Sequence, residues 1–261
     1  MVGMNSPATL PTFTPGLYDL SIEDYLAERD HISSSGLKRL LLSPLHLQRY
    51  LLRQHESTPQ LDFGTAAHCA LLEPARFARE YVALPVPHAD LFHEKDLALI
   101  AQYQAHPVHF VTEAQMAAIA GIRAQVAQLP EVVRLLDAGL PERSLFWRDE
   151  ASGIRCKIRP DMLVVPDLIL ELKTTFDASL AVFQRTLFMQ RYHLSAAMYR
   201  QGVQQITGQL PQYVYLVASR HPPYQVQTFV PSTAILEEGE RLFRTALSKL
   251  KAENGLYERY S

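Results

Sequence analysis

Apolar residues recur at helical spacing through the first half of the chain and at strand spacing through its middle. Ser33-Ser34-Ser35 is an N-cap candidate ahead of Leu37, Leu40, Leu41, Leu45 and Leu47, a stripe interrupted by Ser43-Pro44. A second helix is expected over 65–72, between Gly64 and Pro74. Thr112 and Gln115 form a capping box for a helix reaching about Asp137. The period then shortens. Residues 144–147, 154–165 and 168–174 read as three strands, followed by helices over 178–187 and 189–205. Strands over 212–218 and 225–230 come next, and Pro231-Ser232 opens an amphipathic helix to about Lys251. This order predicts an α/β fold with a central mixed β-sheet flanked by helices. It divides a single domain over 16–261 into a helical part, 16–140, and a core, 141–261. Residues 1–15, rich in Pro, Thr and Ser, read as a disordered leader, and 84–93 as a mobile loop.

Composition narrows the function classes. With 261 residues, 48% of them hydrophobic, the chain can bury a substantial core. A net charge of −2 lacks the global basic signature of a protein that coats nucleic acid, but leaves room for a local basic channel. Two cysteines, Cys69 and Cys156, are too few for a thiolate-held iron–sulfur cluster. Their isolation points to a reducing compartment. The start lacks a signal-peptide pattern, and no stretch approaches the ~20 apolar residues of a membrane span. The expectation is a soluble cytoplasmic protein with no membrane partner.

The segment from Ile158 to Thr175 carries the chemistry. In a strand, Leu168, Leu170 and Leu172 face one side, and Ile169, Glu171 and Lys173 the other. If 158–165 and 168–175 form a hairpin turning at Pro166, Asp161 lies across from Glu171, and opposed Cβ atoms are about 4.5–5.5 Å apart. Two carboxylates that close repel, and a divalent cation between them resolves the conflict. Oxygen ligands suit Mg²⁺, with Mn²⁺ as a substitute. Lys173 then lies beside the attacking water and a scissile phosphate, as phosphodiester hydrolysis requires. On spacing alone, a solvated strand face reads equally well. The setting of Glu171 in Leu168-Ile-Leu-Glu-Leu172 favours a task, because a charge in so apolar a strand needs a partner or a function.

Pro160-Asp161 with Glu171-Leu172-Lys173 resembles the PD-(D/E)xK nuclease superfamily, whose core is restriction-endonuclease-like. Further segments extend the likeness: Gly16-Leu-Tyr-Asp-Leu-Ser-Ile-Glu-Asp-Tyr25, Ser33-Ser-Ser-Gly-Leu-Lys38, Ser43-Pro44, Phe63-Gly-Thr-Ala-Ala-His68 and Leu72-Glu73-Pro74. Gly153-Ile-Arg-Cys-Lys-Ile-Arg-Pro-Asp161, Lys173-Thr-Thr175 and Tyr192-His193 continue it. Together they resemble the RecE-type exonuclease (exonuclease VIII) family, related to lambda exonuclease. The resemblance implies a Mg²⁺-dependent enzyme acting at double-stranded DNA ends. It would degrade the 5′-ended strand and leave 3′ single strands for recombination. A ring-shaped homo-oligomer, tetrameric or trimeric, a RecT-type single-strand annealing partner, and a bacterial or phage origin are also implied. By the same resemblance His68, Asp161, Glu171 and the backbone carbonyl of Leu172 are metal ligands, and Lys173 is the catalytic lysine. Ser195 stands where the superfamily often has Gln, four residues before Tyr199, and is too short for the same reach.

Other candidates divide between function and plain structure. Taken alone, His68 among alanines reads more readily as a core histidine. Glu73 before Pro74 reads as a helix end. Spacing of His88, His93, His106 and His109 matches no ligand pattern. Lys38, Arg39, Arg49 and Arg53, and likewise Arg185, Arg191 and Arg200, fit either a DNA channel or a solvated helix face, and His193 joins them as a supporting candidate. Arg241, Arg244, Lys249 and Lys251 read as surface or oligomer interface.

Overall fold

The computed structural model describes residues 13–52, 59–84 and 109–253. The expected leader up to residue 12, the expected loop over 85–93, and Arg53, His88, His93 and His106 lie outside them.

Strand β1 (Gly16–Tyr18) leads into helices α1 (Ile22–Ala27), α2 (Ser34–Leu40) and α3 (Pro44–Leu52). The expected break at Ser43-Pro44 separates α2 from α3, and the Ser33 side chain accepts from the Gly36 N–H to cap α2. Helix α4 (Pro59–Leu72) starts earlier than expected and abuts α5 (Pro74–Glu80). Strands β2 (Tyr81–Leu84) and β3 (His109–Thr112) pair in parallel as a small separate sheet. The capping box forms, with Gln115 N–H on Thr112 Oγ1 and Thr112 N–H on Gln115 Oε1. The single helix expected to Asp137 is two, α6 (Glu113–Val126) and α7 (Pro130–Ala138). Pro130 has no N–H to continue the ladder and takes the first turn of a new helix.

Strands β4 (Leu140–Pro141), β5 (Ser144–Arg148), β6 (Arg155–Ile158), β7 (Met162–Val164) and β8 (Leu168–Thr175) follow. The long strand expected over 154–165 is thus two, broken at Arg159-Pro160, and its halves enter different sheets. Helices α8 (Leu180–Met189) and α9 (Tyr192–Thr207), strands β9 (Gln212–Ser219) and β10 (Val226–Phe229), and helix α10 (Thr233–Ala252) complete the chain. A five-stranded mixed sheet has the order β10-β9-β8-β7-β4, and β1-β5-β6 form a second sheet.

The five-stranded sheet is buried on both faces, and its alternation shows how. Ile169, Tyr213, Tyr215 and Val217 point into a core shared with α2, α8, α9 and α10. Leu170, Leu172, Val214, Leu216 and Ala218 point into a second core under α4, α6 and α7. Burial of each such Leu or Val contributes about 1.5–3 kcal/mol. This is the central mixed sheet flanked by helices that the sequence predicts. Lys157, in the quoted Gly153–Asp161 motif, is structural: its ammonium donates to the carbonyls of Tyr25 (2.6 Å) and Glu28 (2.5 Å), tying the N-terminal helices to β6. Cys69 and Cys156 are buried and free. Among the described residues, no helix is long and apolar enough to cross a membrane.

Candidate active site

The β7–β8 hairpin turns about Pro166, pairing Met162 with Leu170, Leu163 with Ile169 and Val164 with Leu168. Asp161 is the next residue beyond this register, opposite Glu171. Its carboxylate turns along the strand end, where Oδ2 accepts from the Leu172 N–H at 2.7 Å. Asp161 is 8% exposed and Glu171 6%. The Lys173 ammonium donates to Glu171 Oε1 at 2.9 Å and to the Leu172 carbonyl at 3.0 Å, and lies 4.0 Å from Asp161 Oδ2. His68 reaches in from α4, with Nδ1 3.4 Å from Asp161 Oδ1.

The charges are strongly coupled. Burial and the neighbouring Asp161 raise the Glu171 carboxyl above its ordinary range, and Lys173 only partly offsets them. Burial also disfavours the Asp161 charge, but His68, Lys173 and the Leu172 N–H outweigh it and hold this carboxyl low. Burial opposes protonation of His68 and Lys173, yet Asp161 keeps the imidazole proton affinity raised, and Glu171 and Asp161 do the same for the ammonium.

One residue at the site has no signal in strand or helix spacing. Glu142, in the turn between β4 and β5, has φ 52° and donates its N–H to the Asp161 carbonyl. One ligand atom each of Glu142, His68 and Asp161 lie within 4.8 Å of one another. Burial and Asp161 push the Glu142 carboxyl up to about 7. Arg159 binds its other side, Nε to Oε2 at 2.9 Å.

The donors present fit a hard divalent cation. They are carboxylate and carbonyl oxygens with one imidazole alongside. Glu171 Oε2 is buried with no hydrogen-bond partner in the protein, and an ammonium already stands at Glu171 Oε1 and the Leu172 carbonyl. A buried acceptor left unsatisfied is costly unless a cation or donor meets it.

Two cavities meet here. One of about 470 Å³ is lined by His68, Glu142, Arg159, Leu172, Lys173 and Tyr192, with Glu73 at its edge paired to Arg76. The other, about 230 Å³, is lined by Ser34, Ser35, Lys38, Glu171, Ser195 and Tyr199. Lys173 and Tyr192 line both. Ser195 and Tyr199 therefore lie beside Glu171 and Lys173. His193 is turned away, its Nδ1 3.4 Å from the Leu187 carbonyl and its ring against Phe188. Arg185, Arg39 and Arg49 are exposed, and Arg200 is bonded to the Pro211 carbonyl. Arg191 precedes α9 with φ 51°, and its charge acts on Lys38. Arg241 and Arg244 pair with Glu238 and Asp149, while the opposite face of α10 enters the core. His109 lies beside Tyr81, the ring centres 5.0 Å apart and tilted by 32°.

One solved structure supports the fold. The crystal structure named "Putative exonuclease" from Eubacterium rectale overlays with a TM-score of 0.66 at 16% identity, covering 92% of this chain and 88% of that one. The structure named SSO0001 gives a TM-score of 0.30 at 13% identity over 87% of this chain and 86% of that one. No curated protein matches the sequence. Residues 33–255 match the family model described as a PDDEXK-like domain of unknown function, DUF3799, and the chain belongs to that family.

Proposed function

We propose that this protein is a Mg²⁺-dependent deoxyribonuclease of the RecE type, degrading the 5′-ended strand from double-stranded DNA ends. The observation that carries the reading is the buried, unpartnered Glu171 Oε2 near Asp161, with the Lys173 ammonium on Glu171 Oε1 and 4.0 Å from Asp161 Oδ2. His68, Asp161, Glu171 and the Leu172 carbonyl would hold the cation, with Glu142 adjoining. When bound, a divalent cation supplies Lewis acidity toward the phosphate and lowers the pKa of water. His68 orients Asp161, and Lys173 donates to the developing charge on the phosphate. A ring-shaped homo-oligomer, a RecT-type annealing partner and a role in recombination belong to the same reading and rest on the sequence resemblance.

Incubating end-labelled linear duplex and closed circular DNA with and without Mg²⁺ tests the proposal. The expected result is release of mononucleotides from the linear duplex alone, with Mg²⁺, stopped by blocked 5′ ends and not by blocked 3′ ends. Cutting of closed circles would replace the exonuclease with an endonuclease on the same fold. Retention on ends without cleavage would replace it with an end-binding module. Ser195, too short to stand in for a glutamine, favours that second reading.

A further inference from the structure

Lys38 differs from the other bases around the site. Lys173 has Glu171, Arg159 has Glu142 and Lys157 has Glu28 within ion-pair distance. No carboxylate of the described residues lies within that distance of the Lys38 ammonium, which stands 5.1 Å from the centre of the Tyr192 ring. The same ring has the Lys173 ammonium at 5.4 Å. Burial and the neighbouring Lys173, with Arg191 and Arg39 adding to them and Glu171 opposing, push Lys38 down to about 7, so its charge is held only weakly until an anion stands beside it. The cavity that Lys38 shares with Lys173 is lined by Glu171, the would-be cation ligand, and elsewhere by hydroxyl groups, those of Ser34, Ser35, Ser195 and Tyr199 among them.

A partly buried ammonium without a counter-ion, beside a second ammonium, is electrostatically incomplete. Hydroxyls can donate to an anion from any rotamer that suits it. An aromatic face holds a cation in place without neutralising it. Such a set of groups is completed by a polyanion oxygen, and the cavity opens beside the residues that would act on a phosphodiester.

We propose that the Lys38 cavity is a phosphate-binding subsite for the nucleic-acid strand, in which Lys38 supplies the counter-charge to one phosphate next to the one being cleaved. The proposal rests on the nuclease reading above. Lys38 acts on binding and positioning, while Lys173 serves the reacting phosphate.

The test is binding of a short blunt-ended DNA duplex to the full chain in Ca²⁺, over a salt series, for wild type, Lys38→Met and Lys38→Arg. Losing one phosphate contact lowers the slope of log K against log salt by about 0.9. Lys38→Met is expected to weaken binding about tenfold or more, lower that slope by about one, and raise KM more than it lowers kcat with Mg²⁺. Lys38→Arg is expected to restore both affinity and slope, which a merely structural defect would not allow. Circular dichroism and Tm of Lys38→Met identify a folding failure, in which case Lys38→Gln is measured the same way. Wild-type affinity and slope in a folded Lys38→Met or Lys38→Gln protein would overturn the subsite while leaving the nuclease reading intact. Failure of the wild type to bind or cleave DNA would overturn both.

Discussion

The Lys173 ammonium lies 2.9 Å from Glu171 Oε1, two positions back on the same strand face, and bridges from there to the Leu172 carbonyl. These are the atoms a divalent cation would need. The lysine therefore balances the carboxylates of the metal-free protein and would turn toward the substrate when a cation takes over that balance. Lys173→Met keeps the stem and removes the charge. Cleavage by this variant is expected to fall at least 100-fold, the scale of losing one positioned donor to developing charge. Binding of Mn²⁺ or Mg²⁺ is expected to persist. Isothermal titration together with a single-turnover assay checks both, and near-normal cleavage would sink the role of the lysine.

Metal linkage gives a second expectation, independent of any substrate. A cation bound only by the folded state stabilises by RT ln(1 + [L]/Kd), about 2.7 kcal/mol at one hundred times Kd. The melting temperature should therefore rise with Mg²⁺ or Mn²⁺ and return on adding EDTA. Asp161→Asn and Glu171→Gln should each remove most of that rise. A full metal-induced shift in both variants would show that the cation binds elsewhere.

The pH dependence has a definite sign. Glu171 is raised by burial and by Asp161, and Glu142 is pushed to about 7 by the same two causes. A cation binds the ionised forms, so protons compete with it well above the ordinary carboxylate range. Metal affinity should fall as pH drops from 8 to 6, with protons released on binding. Calorimetry in two buffers of different ionisation heat measures that release. For the metal-free protein the linkage runs the other way. A carboxyl whose pKa is raised on folding contributes stability that is full below its unfolded value and lost as pH rises through the folded one. The contribution of Glu142 is thus full below about 4.5, falls as pH rises from there and is gone above about 7.

Alternation made much of this legible. The pattern Leu168-Ile-Leu-Glu-Leu-Lys173 separates two faces, and the structure puts Ile169 in one core and Leu170 with Leu172 in the other. Pro166 set the register that leaves Asp161 opposite Glu171. What stayed hidden depends on contacts distant in sequence. Glu142 reaches the site only because a left-handed turn and the Asp161 carbonyl hold it there. His68 arrives from a helix whose composition gives no orientation. The break at Arg159-Pro160 was readable from the proline, but the change of sheet that follows was not. Its cause is pairing with β5, which is tertiary.

Two glycines offer a test of packing that is separate from the chemistry. Gly239 sits where α10 crosses α9, and a β-carbon there would run into the backbone carbonyl of His193. Backbone cannot swing aside as a side chain can, so Gly239→Ala should force the helices apart. Overpacking of this kind costs about 1–3 kcal/mol, or roughly 2–4 °C of Tm per kcal/mol for a chain of this size. Gly64 on α4 is the contrasting case. A β-carbon at Gly64 instead meets Thr174 Oγ1 at 3.7 Å, an ordinary contact. Because alanine restricts the unfolded chain, Gly64→Ala should stabilise by about 0.4–1 kcal/mol. Differential scanning calorimetry on the two variants decides the matter. A Gly239→Ala protein as stable as wild type would mean that α9 and α10 do not cross this closely.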